Sequence, residues 1–197
     1  MAVHECQARP FGGLCSAGIP AGSSGHAKDA GRDAGATSPA RSGKDYKFMR
    51  HLIGFGNDLH GDDGFGIAVC QRMAELPLPD DVRVFAAGTR GLDALALFEG
   101  CDEAIIIDAS EPAGRPGHLA FPDPETCAED SSLPGHGAGV GYLLRALSAL
   151  GTPPHLRVIA AEAAALTPFH TELSPEMQGA VEETVALLRG WLGVDGV

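Results

Sequence analysis

The sequence predicts an α/β fold: three layers, with a mainly parallel twisted sheet of about five strands and helices on both faces. Three observations carry that expectation. From residue 49 onward short apolar stretches alternate with stretches of helical period. The β-branched run Ala104-Ile105-Ile106-Ile107 reads as a central strand covered on both faces. The first apolar stretch runs through a glycine-rich turn directly into a helical pattern, the connection that parallel units use.

Taken in order, the strands are expected at residues 51–53, 82–86, 103–108 and 156–161, with an edge strand at 117–121 after the turn EPAGRPG. Helices are expected at 63–76, 92–98, 140–150 and 174–192, and an irregular stretch runs through residue 130. Ser174 reads as the N-cap of the last helix, with Pro175 at its first position. The layout is phosphorylase/hydrolase-like. If the strand order is the common 2-1-3, the C-terminal ends of strands 1 and 3 flank the switch point where ligands bind. Asp63 follows strand 1 and Asp108 ends strand 3, so the two carboxylates are expected to converge there.

The chain turns on the stretch MRHLIGFGNDLHGDDGFG, residues 49–66. A glycine turn between strand and helix suggests a phosphate site, because free N–H groups at a helix N-terminus attract anions. This stretch does not fit one. The pattern G-x-G-x-x-G fails at Leu59, Asp62 and Asp63 repel a pyrophosphate, and the second strand does not end in an acid for a ribose. The loop is built for a cation or for carboxylate chemistry.

Each acid alone has a plain structural explanation. Asp62 and Asp63 at a helix start suit capping and the helix dipole, and Asp108 after a strand suits a turn. His136, in LPGHGAG ahead of a helix, completes with them an O,O,N set suited to zinc or nickel, with open positions left for water or substrate. His60 is a weaker accessory, Glu162 either lines the crevice or caps a turn, and His118, His155 and His170 receive no role.

With 197 residues, 44% of them hydrophobic, and no long apolar run, the chain reads as one soluble domain without a membrane span. A formal charge of −12 excludes the clustered cations that nucleic acid requires. The five cysteines form no C-x-x-C pair and are odd in number, which points to a reducing cytoplasm. Cys70 reads as a small core residue.

Residues 1–48 form a separate segment, rich in Gly, Ala and Ser, that holds every lysine of the chain. It lacks periodicity and large apolar side chains, so disorder is expected. It fits neither a secretory signal nor a transit peptide. Met49 is then either the natural start, with an upstream frame translated before it, or the first residue of the folded domain 49–197 behind a real extension.

Residues 49–192 resemble the hydrogenase maturation proteases, endopeptidases that trim the C-terminus of a nickel-iron hydrogenase large subunit. The matching pieces are MRHLIGFGNDLHGDDGFG, AIIIDA around Asp108, PGHGAGVGYLLRAL around His136, and TELSPE before the last helix. The resemblance implies that Asp63, Asp108 and His136 contact the metal, that Asp63 and Asp108 carry the catalysis, and that Asp62 supports them at most. It further implies a precursor of the large subunit as partner, and nickel presented by that substrate rather than held as a resident cofactor. Cleavage then acts as a checkpoint after nickel insertion. A monomer in the cytoplasm is expected. Metal-assisted and carboxylate-base mechanisms both stay open. So do two other classes: a nickel-binding assembly chaperone without peptidase activity, and a nucleoside phosphorylase-like hydrolase, against which the acid-rich loop argues.

Overall fold

The computed structural model describes residues 47–129, 139–151 and 153–194. The expectations for residues 1–46 and for His136 lie outside the described residues.

Five strands, β1 (Arg50–Phe55), β2 (Val82–Gly88), β3 (Glu103–Ser110), β4 (Leu119–Ala120) and β5 (His155–Glu162), form one sheet in the order β2-β1-β3-β5-β4. All neighbours pair in parallel except β4, which runs antiparallel to β5. The helices are α1 (Phe65–Ala74), α2 (Pro124–Glu129), α3 (Val140–Ala149) and α4 (Pro175–Leu192), joined by 3-10 segments at Asp62–Gly64 and Gly91–Phe98.

Strand side chains alternate between faces, so each strand feeds two cores. Leu52, Ile105, Ile107 and Ile159 pack with Phe65, Val69 and Met73 of α1 and with Met177, Val181 and Leu188 of α4. On the other face Ile53, Ile106 and Val158 pack with Phe98 and with Leu143, Leu144 and Leu147 of α3. Both layers of helix follow from β3, whose residues 104–107 are all buried. Burial of each large aliphatic side chain contributes about 1.5–3 kcal/mol, enough to make this strand the sheet's anchor.

Several boundaries differ from the sequence expectation. The helix expected at 63–76 is a 3-10 turn, Asp62–Gly64, followed by α1. Gly54 lies inside β1 rather than in a turn, and the position calls for glycine because a Cβ there would collide with the Gly66 carbonyl of α1. The edge strand shrinks to the two residues of β4, and α2 occupies part of the stretch expected to be irregular. The start of α4 is as expected: Ser174 Oγ accepts from Met177 N at 3.2 Å, with Pro175 following. Cys70 is buried in the core, and burial pushes its thiol up to about 12. Among the described residues no helix is long and apolar enough to cross a membrane.

Candidate active site

The C-terminal ends of β1, β2 and β3 open into a cavity of about 260 Å³, and Asp63 and Asp108 both line it. Two glycine contacts fix Asp63 above the sheet. Gly56, at φ 119°, lies so close to the Asp63 carbonyl that a Cβ would overlap it, and Asn57 N donates to the same carbonyl at 3.2 Å. Gly66 in turn packs against the carbonyls of Phe55 and Ile107, which seats α1 on the ends of β1 and β3. Only glycine permits both approaches. Asp108 belongs to β3 itself, paired with Ala160 of β5, and its Oδ1 accepts from Ala109 N at 2.9 Å.

The electrostatics follow from that placement. Burial pushes the Asp108 carboxyl up to about 7, and the neighbouring Asp63 charge adds to the rise, while the Ala109 N–H opposes it. By surface area the residue as a whole is only partly buried; the carboxyl is the crowded part. Burial also raises Asp63, offset in part by the Asn57 N–H and by the charge of nearby His60. Two carboxylates facing one small cavity resist ionising together, so the pair keeps a proton to higher pH than an exposed acid would. A pair so poised exchanges a proton readily, and it also suits a cation brought between the two carboxylates. Among the described residues no three His, Cys, Asp or Glu side chains gather as a metal site.

Asp62 does a different job. It is 2% exposed and turns away from the cavity. It accepts from Ala164 N at 2.8 Å, Ala165 N at 3.4 Å, Ser174 N at 2.7 Å and Ser174 Oγ at 2.9 Å. One side chain thereby ties the β5–α4 loop to the turn that carries Asp63. Glu162 caps a turn rather than lining the cavity: its Oε1 accepts from Ala113 N at 2.8 Å and from Arg115 N. A larger groove of about 420 Å³ lies between α1 and α4, beside the Arg72–Glu182 ion pair, away from both cavity acids.

The sequence profile of the hydrogenase maturation proteases matches residues 67–191. This chain belongs to the hydrogenase maturation protease family. It is 30% identical over 151 residues to the hydrogenase expression/formation protein HupD of Rhodobacter capsulatus, a match spanning 71% of each chain. It is 26% identical over 153 residues to the hydrogenase 3 maturation protease of Escherichia coli K12, spanning 74% of this chain and 92% of that one. The structure of the hydrogenase maturating endopeptidase HybD from Escherichia coli superimposes with a TM-score of 0.65 at 26% identity, covering 76% of this chain and 94% of that one.

As a member of this peptidase family the chain is a hydrolase, and the sequence expectation brought Asp63 and Asp108 to one cavity correctly. His136 lies outside the described residues, so the third member of the set is not placed. Sequence reading missed the wall that the end of β2 supplies. Gly88, Thr89 and Gly91 line it, with Gly88 and Gly91 at φ 61° and 56°. The signal was the GTRG run directly after strand 2, at the predicted switch-point end of the sheet. Asp62, which the resemblance cast as a supporting residue at most, supports the site through hydrogen-bond partners about 100 residues away that the sequence does not display.

Proposed function

We propose that this chain is the endopeptidase that removes the C-terminal extension from the precursor of a nickel-iron hydrogenase large subunit once nickel is in place. The single observation that carries the reading is the convergence of Asp63 and Asp108 on one glycine-walled cavity, with Asp108 raised to about 7. Such a pair suits acid–base peptide hydrolysis. The ionised carboxylate takes a proton from the attacking water while the protonated one donates a hydrogen bond to the scissile carbonyl oxygen. Water oxygen bonds to the carbonyl carbon, the proton is passed to the leaving nitrogen, and the C–N bond breaks. This is aspartic-type chemistry.

Nickel enters as part of the substrate. In the metal-assisted alternative to that acid–base chemistry, Asp63, Asp108 and His136 would complete its coordination when the precursor presents it, both carboxylates then being ionised, and the ion would withdraw electron density from the ligands around it. Three hard or borderline donors make a weak, open set, which suits recognition rather than storage. In this reading the protein works as a monomer in the cytoplasm, and a precursor without nickel is not cut.

Mass spectrometry of the large subunit with and without this protein tests the reading. Loss of the C-terminal extension is expected with nickel-loaded precursor and not with nickel-free precursor. Chelator treatment of the protease alone, followed by dilution, should leave cleavage intact. Efficient cutting of nickel-free precursor would remove the checkpoint, and a chain that binds precursor without ever cutting it is an assembly chaperone.

A further inference from the structure

β2 is an edge strand: it pairs with β1 on one side and, among the described residues, with nothing on the other. The start of the ladder sets which of its backbone groups are left over. Arg50 N donates to Asp81 O at 2.8 Å, so residues 81, 83 and 85 turn their N–H and C=O groups to β1, while Val84 and Ala86 turn theirs outward. Among the described residues nothing bonds to those outward groups. Native sheets blunt such edges with very short strands, lysine, proline or a covering segment. The opposite edge is blunted in this way, since β4 has only two residues. β2 has seven, VRVFAAG, with neither lysine nor proline. Its one irregularity, an extra residue at Ala87 between the Gly54–Ala86 and Phe55–Gly88 pairs, comes after both outward residues.

This edge leads directly into the cavity. Gly88, the last residue of β2, and Thr89, the next one, both line it together with Asp63 and Asp108. Gly88 O accepts from Gly56 N at 3.3 Å, and Gly56 is the residue that lies against the Asp63 carbonyl, so the strand end and the acid share one support. Strands lie about 4.8 Å apart, so a chain on the outer edge of β2 is about 12 Å, or three to four extended residues, from a point between Asp63 above β1 and Asp108 on β3.

We propose that the outer edge of β2 takes the C-terminal extension of the precursor as an added strand. The inference rests on the function proposed above. The folded body of the precursor stays outside the cavity, so past the scissile bond the extension runs from the cavity over the ends of β1 and β2 and down the edge, antiparallel to β2. Val84 and Ala86 hold its main chain, which makes recognition largely independent of the extension's sequence. Continuity with the cavity argues for this occupant, and charge argues against a second copy. Arg83 is exposed and has no ion pair among the described residues, and two β2 edges paired about a two-fold axis would bring the two Arg83 guanidiniums near each other.

The test uses the full chain with nickel-loaded precursor. Ala86→Pro removes an outward N–H and sets a ring on the edge while sparing the bonds to β1, a place where edge strands accept proline, so its melting temperature should stay near that of the wild type. KM for the precursor should rise about tenfold or more, with kcat at saturation within about twofold because the edge is away from the reacting atoms. Ala86→Ser, which keeps the N–H, should keep the wild-type KM. On a precursor whose extension stops three residues past the scissile bond, too short to reach the edge, Ala86→Pro and the wild type should share one KM. A second measurement needs no variant: the Val84 and Ala86 amides of the wild-type chain should exchange hydrogen fast alone and slowly once a synthetic peptide of the extension is added to saturation. A wild-type KM in Ala86→Pro, the same rise on the trimmed precursor, or amides unchanged by the peptide overturns the added strand. So do amides already protected without peptide, or a wild-type dimer that Ala86→Pro abolishes, since the occupant is then this chain itself. If the wild-type chain cuts and these results fail, this inference alone falls. If the wild-type chain neither cuts nor holds the precursor, the proposed function falls with it.

Discussion

Replacing Asp108 by Asn should change how stability depends on pH, in a direction fixed by the fold. The folded-state pKa of Asp108 stands at about 7 against an ordinary 3.8, mainly because the carboxyl is buried and also because Asp63 sits beside it. Between those two values the folded protein holds a proton that the unfolded chain has released. Stability therefore falls as pH rises from about 4 to 7 and levels off above, where both states are ionised. At 1.36 kcal/mol per unit, the full penalty reaches roughly 4 kcal/mol at pH 8. Asn keeps the size and the acceptor for Ala109 N but cannot ionise. Asp108→Asn should match the wild type near pH 4 and exceed it by up to roughly 4 kcal/mol at pH 8, less whatever the amide N–H₂ loses by lacking a partner. Urea midpoints from pH 4 to pH 8, with the slope checked at each, read this directly. A stability difference that does not change with pH would refute the placement of Asp108 as a desolvated carboxyl. Processing should be lost in the same variant, so that removing the acid strengthens the fold and silences the enzyme.

Asp63→Asn should lower cleavage of precursor by about 10²–10⁴-fold with the fold intact, and should also bring the pH-dependent fall in stability to lower pH, because one cause of the Asp108 rise is then gone. Melting curves across pH check the second effect independently of activity. Asp62→Ala should behave oppositely, costing about 3 kcal/mol or more through the donors it leaves unpaired at Ala164 and Ser174; an unchanged urea midpoint would contradict it. A chain beginning at Met49 should fold and process normally, because Met49 N donates to Asp102 Oδ2 at 2.8 Å and a terminal ammonium there keeps that bond. Insolubility or loss of processing in that shortened chain is the contrary result.

The sheet was legible because its central strand is unambiguous. Four consecutive buried residues, Ala104–Ile107, followed by an acid, leave little choice of role, and the order β2-β1-β3 is the common one that the sequence reading took as its condition. The positions of Asp63 and Asp108 followed from topology alone. What the sequence concealed depends on contacts between distant segments. Gly54 looked like a turn glycine, yet it sits in β1, where its missing side chain lets α1 pack across the strand. The six residues of α2 are too few to show a period, and nothing in the sequence marks Phe169 as adopting a φ of 59°. By residue type and placement Asp62 and Asp63 are alike, each an acid at a helix start; the resemblance alone separated them, and the hydrogen bonds of Asp62 show what it holds.

That last pair has a consequence for anyone who surveys this protein by saturating it with substitutions. A growth selection that depends on hydrogenase would score positions 62 and 63 as one block of intolerance, as if the two acids shared a task. Scored instead by the amount of folded protein in the cell, the block divides, with position 62 depleted and position 63 tolerant. A single peptide bond separates the bracket that holds the β5–α4 loop from the group that faces the cavity. Catalytic maps drawn from activity alone would place both acids in the active site.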